Sequence, residues 1–213
     1  VLAYFVEPGE HPLGQALRKL QKAKVDWSRH QVERLQKEAF VLPYDEVLKV
    51  AEGSPTVRRP HIWKTLNKYN PGRLEAQEYF EKTNFGGPWF VQKAFEMTIE
   101  DTVERITESG AIPVLAHPAF YGSWPEGALN VLDIAQAAGI RGVEAIYAYD
   151  AISGDRGLPK EKDVAELLTA EAKKRGLVIT GGSDFHGAVT KAVKIGSVEV
   201  PYECLVKLRE LKS

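Results

Sequence analysis

Hydrophobic residues follow two different patterns along this chain, and the pattern changes near residue 96. Before that point, apolar residues recur at helical spacing, as at Leu13, Leu17 and Leu20. After it, short apolar runs of strand length alternate with segments long enough for helices of 10–15 residues. Such alternation predicts a parallel sheet or a barrel. The sequence therefore predicts an α/β protein that also carries a helix-rich region.

Five apolar runs have the length expected of strands: residues 1–6, 112–116, 142–147, 177–180 and 195–200. Thr98 and Asp101 resemble a capping box, which predicts a helix that begins there and reaches Ser109. Five strands are too few to close a barrel of seven or eight. Because the chain also opens abruptly in an apolar run, we expect it to be a piece of a longer barrel protein.

The same patterns predict three parts. Residues 1–6 form one strand of the barrel, residues 7–95 form a helical insertion, and residues 96–213 form the C-terminal part of the barrel. A hydrophobic content of 44% is ordinary for a protein with a packed core. No tract of internal repeats or of low complexity interrupts these parts.

Charge and cysteine content narrow the function classes. The formal net charge of −1 gives no global field that would attract duplex DNA. The single cysteine, Cys204, excludes an internal disulfide and fits a reducing compartment. No apolar run approaches the ~18 residues that span a bilayer, and no signal-peptide pattern opens the chain. We expect a cytoplasmic protein without a membrane partner.

Two predicted strand ends carry side chains that suit a divalent metal ion. Asp184 and His186 lie in a glycine-rich turn after residues 177–180, and His117 follows residues 112–116. Barrels place their chemistry at the C-terminal ends of their strands, and carboxylate with imidazole suits zinc, manganese or iron. Three such side chains can hold one ion.

Structural roles remain open for each of these side chains. Asp184 could cap the next turn, His186 could be a surface loop residue, and His117 could bond a backbone carbonyl in the core. Pro118 favours an extended backbone at His117, which would aim the imidazole outward from the strand end.

A second candidate site is the run Arg58-Arg59-Pro60-His61 at a predicted helix start. Helix N-termini favour anions, and arginine adds a two-pronged donor for phosphate oxygens. His61 could donate to a phosphate or protonate a leaving group. The alternative is a solvated basic turn. The lysines and arginines of residues 13–37 could likewise meet an anionic substrate or an RNA backbone, or form a solvated helix face.

Three residues near the third predicted strand each have two possible roles. Glu144 either supports a metal ligand or faces water. Tyr147 and Tyr149 either stack on a base or pack in the core.

Several segments together resemble the polymerase-and-histidinol-phosphatase (PHP) family of metal-dependent phosphoesterases. They are Val-Leu-Ala-His-Pro at 114–118, Gly-Val-Glu at 142–144 and Ile-Thr-Gly-Gly-Ser-Asp-Phe-His-Gly at 179–187. Arg-Pro-His-Ile at 59–62 and the opening Val-Leu-Ala-Tyr-Phe are similar to one branch of that family. This branch acts on nucleoside 3',5'-bisphosphates and, as a 5'-to-3' exonuclease, on short RNA.

The resemblance implies an incomplete, distorted (β/α)7 PHP barrel with a helical insertion domain that caps the substrate. In the family the barrel rim holds two or three divalent ions, with Mn2+ implied first and Zn2+, Fe2+ or Mg2+ as alternatives. His117, Asp184 and His186 match the family's metal ligands. Arg59 and His61 match insertion residues that face the substrate phosphate, and His61 is also the implied catalytic residue that assists the leaving oxygen.

The implied reaction is hydrolysis of a nucleotide phosphomonoester, or attack at short RNA 5' ends, by a metal-activated hydroxide. The family's opening His-x-His segment and the Asp, His, Glu and His that follow it have no counterpart in this sequence. We therefore expect weak binding of one ion by this chain. Two alternatives stay open: a histidinol-phosphatase-like enzyme, and a non-catalytic PHP-fold binding module.

Overall fold

The chain forms two units, one made of Val1–Leu13 with Met97–Ser213 and the other of Gly14–Glu96. The structure is a computed structural model that describes residues 1–152, 157–186 and 193–212. The strands are β1 (Leu2–Tyr4), β2 (Ile112–Leu115), β3 (Gly142–Tyr147) and β4 (Val178–Gly182). The helices are α1 (Pro12–Gln36), α2 (Tyr44–Val50), α3 (Arg59–Tyr69), α4 (Ala76–Thr83), α5 (Ile99–Glu108), α6 (Glu126–Ala138), α7 (Tyr149–Ile152), α8 (Glu161–Lys174) and α9 (Tyr202–Glu210).

All four strands belong to one sheet in the order β1-β2-β3-β4. β2, β3 and β4 are parallel neighbours, whereas β1 runs antiparallel to β2. The expected α/β class is thus confirmed, with a mixed rather than a fully parallel sheet. Across the described residues, no helix is both long and apolar enough to cross a membrane.

The predicted fifth strand at residues 195–200 is wrong. These residues are described, and they contain a turn in place of a strand. Gly196 has φ +79°, a left-handed conformation that breaks an extended run. The Ser197 hydroxyl donates to the carbonyl of Lys194 at 2.8 Å, and the Lys194 N–H reaches back to the same hydroxyl at 3.3 Å. These local bonds close the turn, and Ile195 remains 81% exposed.

The two faces of the sheet have different roles because successive side chains of a strand point to opposite faces. On β3, the side chains of Val143, Ala145 and Tyr147 join the main core with residues of α6 and α8. Glu144 lies on the opposite face, as alternation requires. Helix α9 supplies Leu208 to a smaller cluster that includes Val114 of β2. The buried carboxylate of Glu144 therefore lies on the face of β3 opposite to the one that packs in the main core.

The contact between β3 and β4 demands glycine at one position. A Cβ on Gly181 would lie 2.4 Å from the carbonyl oxygen of Ile146. The pairing register shifts between Glu144 and Ile146, which marks a β-bulge. Gly181 thus lets β4 approach the bulged strand closely.

The helical unit has a core of its own, rich in aromatic side chains. Buried Tyr79 lies 5.3 Å from the ring of Trp63 and 5.0 Å from that of Phe80. The Tyr79 hydroxyl donates to the carbonyl of Arg59 at 3.3 Å. The first residue of α3 is therefore held by a buried side chain of α4.

The cap of α5 offers a test of local structure. The Thr98 hydroxyl accepts the Asp101 N–H at 3.1 Å, and the Asp101 carboxylate accepts the Thr98 N–H at 3.2 Å, so the predicted capping box is confirmed. Thr98→Ala should lower the free energy of unfolding by about 1 kcal/mol, because an N–H at the helix start loses its acceptor. Urea unfolding measures this. Thr98→Ser should restore most of the loss, and equal losses in both variants would contradict the assignment.

Candidate active site

The carboxyl ends of β2, β3 and β4 meet at one edge of the sheet, because these three strands are parallel neighbours. His117 follows β2, Tyr147 is the last residue of β3, and Asp184 follows β4. The strand order therefore places the predicted histidine and aspartate on either side of the end of β3.

Tyr147 connects these two residues. Its hydroxyl donates to Asp184 Oδ2 at 2.9 Å, and its ring centroid lies 5.1 Å from that of His117. Burial raises the pKa of Tyr147, and the hydrogen bond to Asp184 raises it further. The phenol consequently remains a donor at neutral pH and holds one carboxylate oxygen. From the sequence, Tyr147 could stack on a base or pack in the core. The one sequence feature that pointed to its contact with Asp184 and His117 is its position at a strand end close to these two predicted ligands.

The backbone is left-handed at both predicted ligands. His117 has φ +26° and ψ +65°, and Asp184 has φ +51°. The expected extended backbone at His117 is therefore wrong. The chain turns away at once into a 3-10 turn at Pro118–Phe120, and the His117 N–H is held by a carboxylate. Histidine and aspartate are among the non-glycine residues that adopt positive φ most often, at a cost of about 1–3 kcal/mol each.

That carboxylate belongs to Glu144, for which the sequence allowed two roles: supporting a metal ligand or facing water. Its Oε2 accepts the His117 N–H at 3.1 Å, and its side chain is buried. Burial raises the pKa of Glu144 to about 7, and the nearby Asp184 carboxylate adds to the rise, while the His117 N–H opposes it. Glu144 thus fixes the turn that carries His117, and it titrates near neutrality.

His186 lies at the solvent side of this group. Its side chain is 51% exposed. Its Nδ1 lies 2.6 Å from the backbone carbonyl oxygen of Asp184 and 3.5 Å from Asp184 Oδ1. The imidazole is therefore turned towards its own loop. Gly187, the last residue of the motif, lies outside the described residues.

His117, Asp184 and His186 are of the types that bind a divalent metal, but their side chains are not placed close enough together to share one ion. One carboxylate and two imidazoles are suitable ligands. However, within residues 1–152, 157–186 and 193–212, no group of three His, Cys, Asp or Glu side chains is placed to hold an ion. Tyr147 occupies one Asp184 oxygen, and His186 Nδ1 faces a carbonyl. The metal role of His117, Asp184 and His186 remains a prediction.

In the helical unit, His61 and Arg59 have different surroundings. His61 Nδ1 accepts the backbone N–H of Arg58 at 3.2 Å, so the proton of the neutral ring is on Nε2. Burial lowers the pKa of His61, and the charges of Arg58 and Lys64 lower it further. A neutral imidazole with a donor at Nε2 is suited to bind a phosphate oxygen more than to supply a proton.

Arg59 is held by a side chain of its own unit. Its guanidinium donates to Asn84 Oδ1 at 2.8 Å. Arg58 and Arg59 both line a cavity of about 340 Å³, and His61 is not among the described residues that line it. The cavity groups both arginines with Lys24 and with Lys93, for which the sequence predicted no role.

Two curated proteins are similar to this chain. A 3',5'-nucleoside bisphosphate phosphatase from Chromobacterium violaceum is 23% identical over 209 residues, which are 98% of this chain and 70% of the relative. A phosphoribosyl 1,2-cyclic phosphate 1,2-diphosphodiesterase from Eggerthella lenta is 24% identical over 167 residues, 78% of this chain and 58% of the relative. The chain thus spans 58% to 70% of their lengths. No protein-family model matches it.

Two solved structures share the fold, each with a TM-score of 0.71. One is a protein from Bifidobacterium adolescentis, provisionally described as a metal-dependent phosphoesterase; it is 22% identical, with 97% of this chain and 68% of that one covered. The other is described as an amidohydrolase from Chromobacterium violaceum with bound sulfate and no metal; it is 20% identical, with 96% and 69% covered. At these identities the likeness establishes the fold alone.

The titration of Glu144 should appear in the stability of the chain. A carboxyl whose pKa is raised in the folded state binds more protons folded than unfolded, so its contribution to stability falls as pH rises from its ordinary value, near 4.5, to about 7. Glu144→Gln keeps an acceptor for the His117 N–H and removes the charge. In urea unfolding with chelator, the stability of this variant relative to the unsubstituted chain should rise between pH 5 and pH 8 by roughly 1–3 kcal/mol. A difference that is the same at both pH values would show that Glu144 does not titrate in this window.

Metal binding by the chain should be weak. Because no three ligands converge in the described residues, calorimetric titration with Mn2+ should show at most one site, with a dissociation constant of about 0.1 mM or weaker. Asp184→Asn should abolish the signal, whereas Asp26→Asn, at an exposed position of α1, should leave it unchanged. Several tight sites on these 213 residues would contradict the expectation.

Proposed function

We propose, from the similarity of this chain to phosphate-ester hydrolases and from its PHP-like motifs, that it takes part in hydrolysing a phosphate ester of a nucleotide. Both curated relatives are named as enzymes that act on phosphate esters. The residues of this chain that match the family's ligands lie at the carboxyl ends of adjoining parallel strands. The similarity thus supports the reaction class, and the strand-end residues are the proposed place where it occurs.

The observation that carries the proposal is the contact through Tyr147. A phenol at the end of β3 holds Asp184 by a hydrogen bond and lies against the ring of His117. Two predicted ligands that are 67 positions apart in the sequence therefore share one partner. Packing alone does not require a carboxylate at this place, since Asp184 is otherwise a partly exposed loop residue with a left-handed backbone.

Each residue has a proposed role. His117, Asp184 and His186 contribute ligands to divalent-metal binding, for which His186 must turn from the carbonyl that it now faces. Glu144 holds the His117 backbone, and Tyr147 orients the Asp184 carboxylate. In the helical unit, Arg59 binds phosphate oxygens as a charged donor, and His61 donates from Nε2.

For the substrate, we propose a nucleoside 3',5'-bisphosphate, with short RNA as a larger substrate of the same chemistry. The support is the Chromobacterium violaceum relative together with the Arg-Pro-His segment. A second candidate is a binding module without catalysis. It is favoured by the spacing of the described His, Cys, Asp and Glu side chains, which provides no three-ligand group.

The test is a hydrolysis assay of the protein at its full encoded length, with Mn2+, Zn2+, Fe2+ and Mg2+ in turn. The substrates are adenosine 3',5'-bisphosphate, histidinol phosphate, a ribose 1,2-cyclic phosphate and a short 5'-phosphorylated RNA. We expect metal-dependent release of phosphate from the bisphosphate in preference to histidinol phosphate. Binding without turnover of any substrate would favour the non-catalytic module.

A double substitution tests the site. Asp184→Asn with His186→Ala should lower the turnover number at least about 10³-fold and leave the unfolding midpoint within a few degrees, because both side chains are partly exposed. The matched control is Asp26→Asn with His30→Ala, which removes the same groups from exposed positions of α1. Retained turnover in the site variant would remove Asp184 and His186 from the mechanism.

A further inference from the structure

The cavity in the helical unit is lined by four cationic side chains. They are Lys24, Arg58, Arg59 and Lys93, and none of the described residues that line the cavity is acidic. The remaining walls are apolar: Trp27, Val57, Pro60 and Phe80. A volume of about 340 Å³ is in the range of small-molecule sites. The cavity therefore combines strong positive charge with two aromatic side chains.

The cations come from separate segments and repel one another. Lys24 is on α1, the two arginines lie at the start of α3, and Lys93 follows α4. Burial lowers the pKa of Lys24, and the charges of Arg58 and Lys93 lower it further. Lys93 forms an ion pair with Glu96. The other cations converge without a carboxylate among the described lining residues, an arrangement that an anion would stabilise.

Local contacts hold the walls of the cavity in place. The Trp27 indole N–H donates to the carbonyl of Val91 at 2.9 Å, and the indole is buried. Arg59 is fixed by Asn84, as described above, and its backbone carbonyl is fixed by the hydroxyl of Tyr79. A site formed by held side chains loses less entropy when a ligand binds than a set of mobile surface lysines does.

We propose that this cavity binds an organic phosphate, with the phosphate dianion on Lys24, Arg58, Arg59 and Lys93 and a planar apolar group against Trp27 and Phe80. The arginines supply paired donors for phosphate oxygens and the lysines supply point charges. The proposal deepens the proposed function and rests on it for the nucleotide nature of the ligand, but the site itself follows from the cavity alone.

The site changes the roles of individual residues. Lys24 belongs to the basic stretch of residues 13–37, for which a solvated helix face was one of the two predicted roles. Of the lysines and arginines in that stretch, Lys24 is the one among the described residues that lines the cavity. Lys93 had no predicted role. Both act as specificity-determining residues for the phosphate group, alongside Arg59.

The test is calorimetric titration of the 213-residue chain in EDTA, with adenosine 5'-monophosphate, inorganic phosphate and adenosine as probes. We expect the monophosphate to bind at least about 10-fold more tightly than phosphate, and adenosine to bind more weakly than either. Equal affinity for the monophosphate and adenosine would overturn the role of the cations. Equal affinity for the monophosphate and phosphate would overturn the role of the aromatic walls.

Variants localise the binding. Lys24→Gln and Lys93→Gln should each weaken monophosphate binding about 10-fold. Lys22→Gln, an exposed lysine of α1 outside the described lining, removes the same charge and should change the affinity less than 2-fold. Thermal unfolding without ligand should be unchanged or higher in Lys24→Gln, since a repelled cation is removed. Unaltered affinity in both lining variants, or an equal loss in Lys22→Gln, would overturn the proposal.

This measurement separates the pocket from the hydrolytic site. Binding in EDTA requires neither metal nor turnover, and Asp184→Asn with His186→Ala should leave it intact. If the monophosphate binds as expected while the full-length protein hydrolyses no substrate, the proposed function fails and the pocket stands. If hydrolysis is found and the two lysine variants bind normally, the pocket fails and the proposed function stands.

Discussion

The hydrogen bond from the His117 backbone N–H to the buried Glu144 carboxylate is the constraint on which the strand-end site depends. It turns the chain sharply after β2, and it places a titratable carboxyl beneath the residues that match metal ligands. Tyr147, on the same strand as Glu144, then connects the His117 ring with the Asp184 carboxylate. One strand, β3, thereby organises residues that arrive from both of its neighbours.

Local sequence patterns predicted what depends on local structure. The bounds of β3 and the capping box of α5 follow from an apolar run and from capping residues, and the structure has them. Residues 195–200 were misread because Gly196 and the Ser197 hydroxyl favour a turn over an apolar extended run. The direction of β1 was missed for a different reason: pairing direction is set by partners distant in sequence, which an apolar run does not reveal.

The candidate site shows the same division. Which side chains stand at strand ends could be predicted, since motif positions follow strand boundaries. The left-handed backbone at His117 could not, because it depends on Glu144 reaching across from the next strand. In the helical unit, a basic turn at residues 58–61 was visible in the sequence, but its convergence with Lys24 and Lys93 is a property of helix packing. A net charge of −1 conceals this concentration of positive charge, because composition averages over surfaces.

The left-handed conformation of Asp184 limits how this loop can change. Asparagine and glycine tolerate that backbone readily, whereas β-branched residues and most longer side chains do not. The substitutions of Asp184 that this backbone accepts most easily therefore remove the negative charge. In a relative that had lost the hydrolytic activity, we would expect asparagine or glycine at this position. Glutamate, although it keeps the acid, would have to move its main chain to fit.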